Sequence, residues 1–153
     1  MFKHTDNNRP YKPEGDCVAR MVCNIFGMDY ERGVEYVEAI AKDFGVKLDG
    51  RNDGVPHHIT DAILRRNGFV KVNPYLSSLN RRGHDHNNFA CKLEVERMPN
   101  GYVVAVIPDH VTSIIKGVIH DTFDPTGEPM KEYWVYKLGI PAISEADNYW
   151  KRI

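Results

Sequence analysis

The stretch from Gly101 to Asp124 reads GYVVAVIPDHVTSIIKGVIHDTFD, and its punctuation decides the fold. Tyr102 to Ile107 is a short, β-branched apolar run, the pattern of a buried strand. Pro108-Asp109 interrupts it, and His110 to Ile115 follows as a second strand. Lys116-Gly117 then stands where a two-residue turn is needed, and Val118 to Phe123 makes a third strand. Strands joined by turns this short are antiparallel, because a parallel pair needs a long crossover.

The hairpin sets a register. With Lys116-Gly117 as the whole turn, Ile115 faces Val118 and His110 faces Phe123. Asp121 is then a same-face diagonal neighbour of His110, and Asp124 points to the other face. A bulge that shifts the pairing by one residue reverses the two aspartates. Both therefore stand as candidates to pair with His110.

Working outward, Tyr133 to Leu138 reads as a fourth strand. Tyr133, Trp134 and Tyr136 are packing residues on it, with Trp134 also a candidate lining for a substrate cleft. Residues 139–153 form a C-terminal tail, amphiphilic from Ile143 and carrying Tyr149 and Trp150. Upstream, the chain is helical. Asp16 is placed to cap a helix from Cys17 to Phe26, with Val18, Met21, Val22 and Ile25 on one face and Gly27 as its terminator. Asp29 is placed to cap a second helix to Phe44, with Tyr30, Val34, Val37, Ala41 and Phe44 as its stripe. Residues 46–58 read as a loop, Thr60 caps a short helix to Arg66, and Phe69 to Val72 is a short strand. Asn73 to Asn87 has no clear pattern. Asn88 caps a helix from Phe89 to Arg97. Residues 1–15, broken by Pro10, Pro13 and Gly15, are an extended lead-in. Helices first and strands afterwards imply an α+β fold, with N-terminal helices packed on a C-terminal antiparallel sheet, in one domain spanning 1–153.

Twenty Lys plus Arg against twenty-one Asp plus Glu leave a net charge of −1, which argues against a nucleic-acid binder. The start is polar and no apolar run approaches a membrane span, so a soluble cytoplasmic protein without a membrane partner is expected. Three cysteines cannot pair completely and fit a reducing compartment.

Cys17 is the most informative of them. A thiolate in the first turn of a helix is favoured by the amide dipoles, and the same turn offers backbone N–H groups to an oxyanion. The carboxylate of Asp16 opposes this. Cys23 and Cys91 read as structural. A nucleophilic cysteine needs a base and the base an orienting partner, roles open to His110 and to Asp121 or Asp124. The tandem His57-His58 and the His84-Asp85-His86 group lack zinc-ligand spacing and read as solvated loop residues, so neither a metal nor another cofactor is expected. His120 alternates away from Asp121. Arg65-Arg66 and Arg81-Arg82 read as solvated faces.

The order of a Cys at a helix start, a His opening a strand and a carboxylate on the next strand resembles the papain-like cysteine peptidases. Asp109-His110 looks like the pair that opens their histidine strand. Asp121-Thr122-Phe123 looks like a variant of their Asn-Ser-Trp. By that resemblance Asp121 is the preferred third member. Asp124-Pro125 instead resembles the Asp-Pro of bacteriocin-processing and transglutaminase-like relatives. Closer still are the small papain-fold proteins common in bacteriophages. They are similar in Asp16-Cys17-Val18-Ala19-Arg20, in the run from Gly101 to His110, and in the strand from Gly117 to Asp124, over residues 16–135. The resemblance implies a papain-like fold and a hydrolase of peptide or isopeptide bonds in which Cys17 attacks, His110 moves the proton and Asp121 or Asp124 orients the ring. Its partner would be a peptide or protein substrate, in host cytoplasm or virion. Papain enzymes complete the oxyanion hole with a Gln upstream of the Cys, and this chain contains none. Asn7, Asn8 and Lys12 are the amide and amine substitutes within reach in sequence. An inactive papain-fold binding module, as a virion component or host-protein interactor, is the alternative reading.

Overall fold

The computed structural model describes residues 1–9, 15–73, 91–136, 139 and 141. They fall into two compact units, drawn from Met1–Thr5 with Val70–Gly139 and from Asp6–Phe69 with Ile140–Ile153. The architecture is α+β, with three helices in the N-terminal part of the chain and a mostly antiparallel six-stranded sheet.

The helical unit is legible residue by residue. Helix α1 is Cys17–Phe26 and ends at Gly27, whose φ of 67° is left-handed. Helix α2 is Tyr30–Asp43; its cap Asp29 accepts a hydrogen bond from the Arg32 amide. The two approach closely because Gly33 has no side chain: a Cβ there would lie 3.0 Å from the Ala19 carbonyl oxygen and overlap the Cys23 sulfur. Helix α3 is His57–Arg66 with Pro56 at its cap. It starts before Thr60, the expected cap, and buries Thr60 instead. The proline presets the backbone of the first turn, so the helix needs no hydroxyl there. Asn67 after α3 donates to Tyr36 Oη of α2 at 2.9 Å.

In the other unit the strands are β1 (Phe2–His4), β2 (Val70–Val72), β3 (Cys91–Lys92), β4 (Tyr102–Ile107), β5 (His110–Ile115), β6 (Val118–Asp121), β7 (Pro129–Met130) and β8 (Glu132–Tyr136). The large sheet runs β1-β6-β5-β4-β8-β2, and β3 pairs with β7. All pairs are antiparallel except β1 with β6. The lead-in is therefore not merely extended: its first residues form an edge strand. The segment expected to be helical from Phe89 to Arg97 is instead, where described, β3 followed by a 3-10 turn at Val95–Arg97. Pairing with β7 and burial of Leu93 in the core outweigh a marginal local propensity. The third strand stops at Asp121 rather than Phe123. The fourth starts at Glu132 and is described to Tyr136. The tail beyond Ile143 lies outside the described residues, as does most of Asn73 to Asn87.

The core of this unit is one face of the sheet. Val103, Ile114, Ile119 and Val135 form an apolar row across four strands, joined by Ala105, Ile107, Leu93 and Met130. Phe2 extends the row on β1 and packs against the same cluster. Trp134 is fully buried, and its indole N–H donates to Glu132 at 3.0 Å. It is a packed side chain, not a cleft lining. No helix among the described residues is long and apolar enough to cross a membrane.

Candidate active site

The hairpin after β5 sets the site. Lys116 and Gly117 both take left-handed φ values, 50° and 77°, as a two-residue primed turn requires. Ile115 therefore pairs with Val118 and Ser113 with His120, with no bulge. Continued by one residue, this register sets Thr112 opposite Asp121; continued by three, it sets His110 opposite Phe123. His110, Thr112, Ile114, Ile119 and Asp121 share one face.

That register brings His110 and Asp121 together. His110 Nε2 lies 2.7 Å from Asp121 Oδ2. The carboxylate is 1% exposed and the imidazole 12%. Asp121 Oδ1 accepts the Thr122 amide at 2.7 Å, so the carboxylate is held at both oxygens. Its main-chain carbonyl accepts the amide of Thr5, just after β1, at 2.7 Å, which anchors the strand itself. The Phe123 ring rests on the imidazole, with centroids 4.9 Å apart. Phe123 is nearly half exposed, so it lies on the solvent side of the pair. An ionised carboxylate can only accept, so the neutral imidazole carries its proton on Nε2 and its basic lone pair on Nδ1. That is the tautomer a general base requires.

Asp124 is placed elsewhere. It is exposed beyond the strand end, and its Oδ1 accepts from the Thr126 amide at 3.0 Å and the Thr126 hydroxyl at 2.5 Å. These bonds hold its carboxyl below the usual carboxylate range, the Thr126 hydroxyl foremost. Of the two candidate aspartates, the imidazole has Asp121.

Cys17, half-buried, opens α1 in the helical unit. Asp16 precedes it but does not cap: its side chain makes no bond to the first-turn amides. The carboxylate is instead buried at 3% exposure and taken up by three donors. Arg20 Nε reaches Oδ1 at 3.0 Å, Tyr30 Oη reaches Oδ2 at 2.9 Å, and Arg9 straddles both oxygens at 3.3 and 3.2 Å. Two guanidiniums face that one carboxylate and offset the penalty expected of it. Arg20, one helical turn from Asp16, was readable from spacing. Arg9 and Tyr30 were not, because only folding brings them there. The Gly15 amide donates to the Arg51 carbonyl at 3.0 Å, and a Cβ at Gly15 would lie 2.6 Å from the Asn52 carbonyl oxygen. Glycine at this position thus lets the 49–53 loop pack against the turn that leads into Cys17.

The other cysteines differ. Cys23 donates to the Asp29 carbonyl at 3.3 Å, and burial pushes its thiol up to about 12. Cys91 lies on β3, its thiol pushed up by partial burial. No disulfide joins the three. Of the amide substitutes for the missing Gln, Asn7 spends its amide nitrogen on Asn24 Oδ1 at 2.7 Å. Asn8 is exposed, and Lys12 lies outside the described residues. His57 and His58 are exposed at the start of α3 rather than in a loop. His120, on the face opposite His110, is half-buried, and burial holds its imidazole below the usual histidine range. Arg66 pairs with Asp43 at 3.1 Å. Among the described residues no cluster of His, Cys, Asp and Glu could hold a metal; His84 and His86 lie outside them, as do Arg81 and Arg82.

No family model, curated protein or solved structure matches this chain.

Proposed function

We propose that this protein is a thiol-dependent hydrolase of papain-like fold, with Cys17, His110 and Asp121 as its triad. The observation that carries the reading is the buried His110–Asp121 bond of 2.7 Å under the Phe123 ring. It supplies a base already oriented and partly screened from water. Cys17 at the start of α1 supports it, with Asp16 beside it neutralised by Arg9 and Arg20.

In the proposed reaction His110 Nδ1 takes the Cys17 proton, and the sulfur attacks the carbonyl carbon of a peptide, isopeptide or thioester. The oxyanion is held by backbone N–H groups of the first turn of α1. As the C–N or C–S bond breaks, His110 returns the proton to the leaving amine or thiol. Water then attacks the acyl-enzyme, giving one proton to His110, and the thiol is regenerated. Asp121 keeps the proton on Nε2 and stabilises the imidazolium. With no upstream Gln, this enzyme forgoes a side-chain donor of the kind typically worth ~3 kcal/mol, which predicts slow turnover. The substrate is a peptide or protein, met in host cytoplasm or on a virion if the chain is phage-encoded.

The second reading, a non-catalytic binding module, is favoured by the commitment of the Asn7 amide to Asn24. Iodoacetamide labelling at graded pH, mapped by mass spectrometry, separates the two. Selective labelling of Cys17 well below pH 8, abolished in His110→Ala, supports the hydrolase. Slow labelling of Cys17 that ignores the His110 substitution would sink it and leave the binding module.

A further inference from the structure

The Asp16 carboxylate has a donor on each oxygen without Arg9. Arg20 Nε meets Oδ1 at 3.0 Å and Tyr30 Oη meets Oδ2 at 2.9 Å. Arg9 adds only longer bonds to the same two oxygens, 3.3 and 3.2 Å, both from one terminal nitrogen. Its side chain is nevertheless only 9% exposed, and its Nε is buried without a hydrogen-bond partner. Burying a guanidinium and leaving one of its donors unmet is unfavourable, and two long bonds offset little of that cost. What Arg9 does bring is a permanent positive charge, carried from the lead-in to the residue that precedes Cys17.

We propose that Arg9 is a positioning residue for the thiol: held in place by Asp16, its charge favours the thiolate of Cys17 against the opposing charge of Asp16. Cys17 follows Asp16 directly, so its sulfur lies in the field of the carboxylate and of the guanidinium bound to it. Both charged groups are buried, and salt and water screen them less than they screen surface charges. Removing the anion therefore favours the thiolate, and removing the cation disfavours it. The inference rests on the hydrolase reading only for its purpose; the coupling of charges is a property of the helical unit.

The test compares the pH midpoint of Cys17 labelling by iodoacetamide between variants of the full chain, whatever the wild-type midpoint is. Arg9→Gln is expected to raise it by roughly half a pH unit or more, and Asp16→Asn, which keeps the shape, to lower it by a similar amount. The double variant loses one charge of each sign, so its midpoint should return close to that of the wild type. Arg9→Lys keeps the charge and should keep most of the wild-type midpoint. The other charged or titratable groups around the cluster are Arg20 on α1, Tyr30 and Glu31 on α2, and Asp49, Arg51 and Asp53 in the adjoining loop. All stay in place in every variant, and Cys91 on β3 serves as the internal control. Shifts of the same sign in the two single variants overturn the proposal, because loosened packing would then be the cause. Unmoved midpoints overturn it as well. Should Arg9→Gln not fold by circular dichroism, the double variant must still label with a higher midpoint than Asp16→Asn. If those two also fail to fold, the network is purely structural and the proposal falls. Labelling of Cys17 that ignores His110→Ala sinks the hydrolase reading and leaves these shifts untouched, so the two failures are told apart.

Discussion

Asp121 meets a donor at each carboxylate oxygen, and that symmetry makes its amide variant informative. In Asp121→Asn, one oxygen still accepts the Thr122 amide while the new NH2 group faces His110 Nε2. Both are satisfied only if Nε2 becomes the acceptor and the ring proton moves to Nδ1. The fold should survive with little change in melting temperature, while the base is lost. Long-range nitrogen–proton NMR of the ring should show the other tautomer, and Cys17 labelling at neutral pH should slow by on the order of a hundredfold or more. Retention of the Nε2–H tautomer would contradict the geometry. Cys23 gives a prediction of a different kind. Its thiol is held protonated in the fold up to about 12, mainly by burial, whereas the unfolded chain releases that proton near its ordinary value of 9.0. The folded state therefore binds more protons in between. The contribution is whole below pH 9.0 and is lost as pH rises towards 12. Urea midpoints should fall across that window by up to about 1.4 kcal/mol per pH unit, and less steeply in Cys23→Ala.

Elements in this chain are defined by what lets backbones come close. Helices α1 and α2 meet at Gly33, where the first atom of any side chain would overlap the Cys23 sulfur and crowd the Ala19 carbonyl. Helix propensity alone would welcome alanine there. The packing overrides it, and Gly33→Ala is expected to destabilise the protein by roughly 1–3 kcal/mol, read from chemical denaturation. A neutral or stabilising result would mean that the helices can separate at little cost. The hairpin between β5 and β6 works by the same economy of atoms. Gly117 takes its left-handed φ freely, and Lys116 accepts one so that the turn stays two residues long. A one-residue bulge would move Asp121 to the opposite face from His110.

At the scale of the whole molecule, the chain start completes the sheet made by its second half. Strand β1 lies beside β6 in parallel, with Phe2 level with Ile119 and His4 level with Asp121. The Ile119 amide donates to the Met1 carbonyl at 2.9 Å, and the Thr5 amide to the Asp121 carbonyl at 2.7 Å. Removing residues 1–5 exposes β6 as an edge and strips Phe2 from the core. The expected cost is about 2 kcal/mol, with rapid exchange of the Ile119 amide in hydrogen–deuterium experiments. Protection of that amide in the truncated chain would argue against the pairing. Local signals announced α1, α2, β4, β5 and the hairpin, because apolar period, caps and turn residues act within a few positions of one another. The His110–Asp121 pairing followed from one local decision, the length of the Lys116-Gly117 turn, and so was readable as a condition though not as a fact. Strand β1, the strand at Cys91 and two of the three donors on Asp16 were not readable. Each exists only because partners distant in sequence satisfy its polar groups: β6 for β1, β7 for β3, and Arg9 and Tyr30 for Asp16. Local sequence was enough for α1, α2, β4, β5 and the hairpin into β6, and for the residue types available for thiol chemistry. The strand pairing of the folded chain shows which of the two registers the Lys116-Gly117 turn takes, and only tertiary structure decides how the charge beside Cys17 is balanced, because Arg9 and Tyr30 reach Asp16 from other segments.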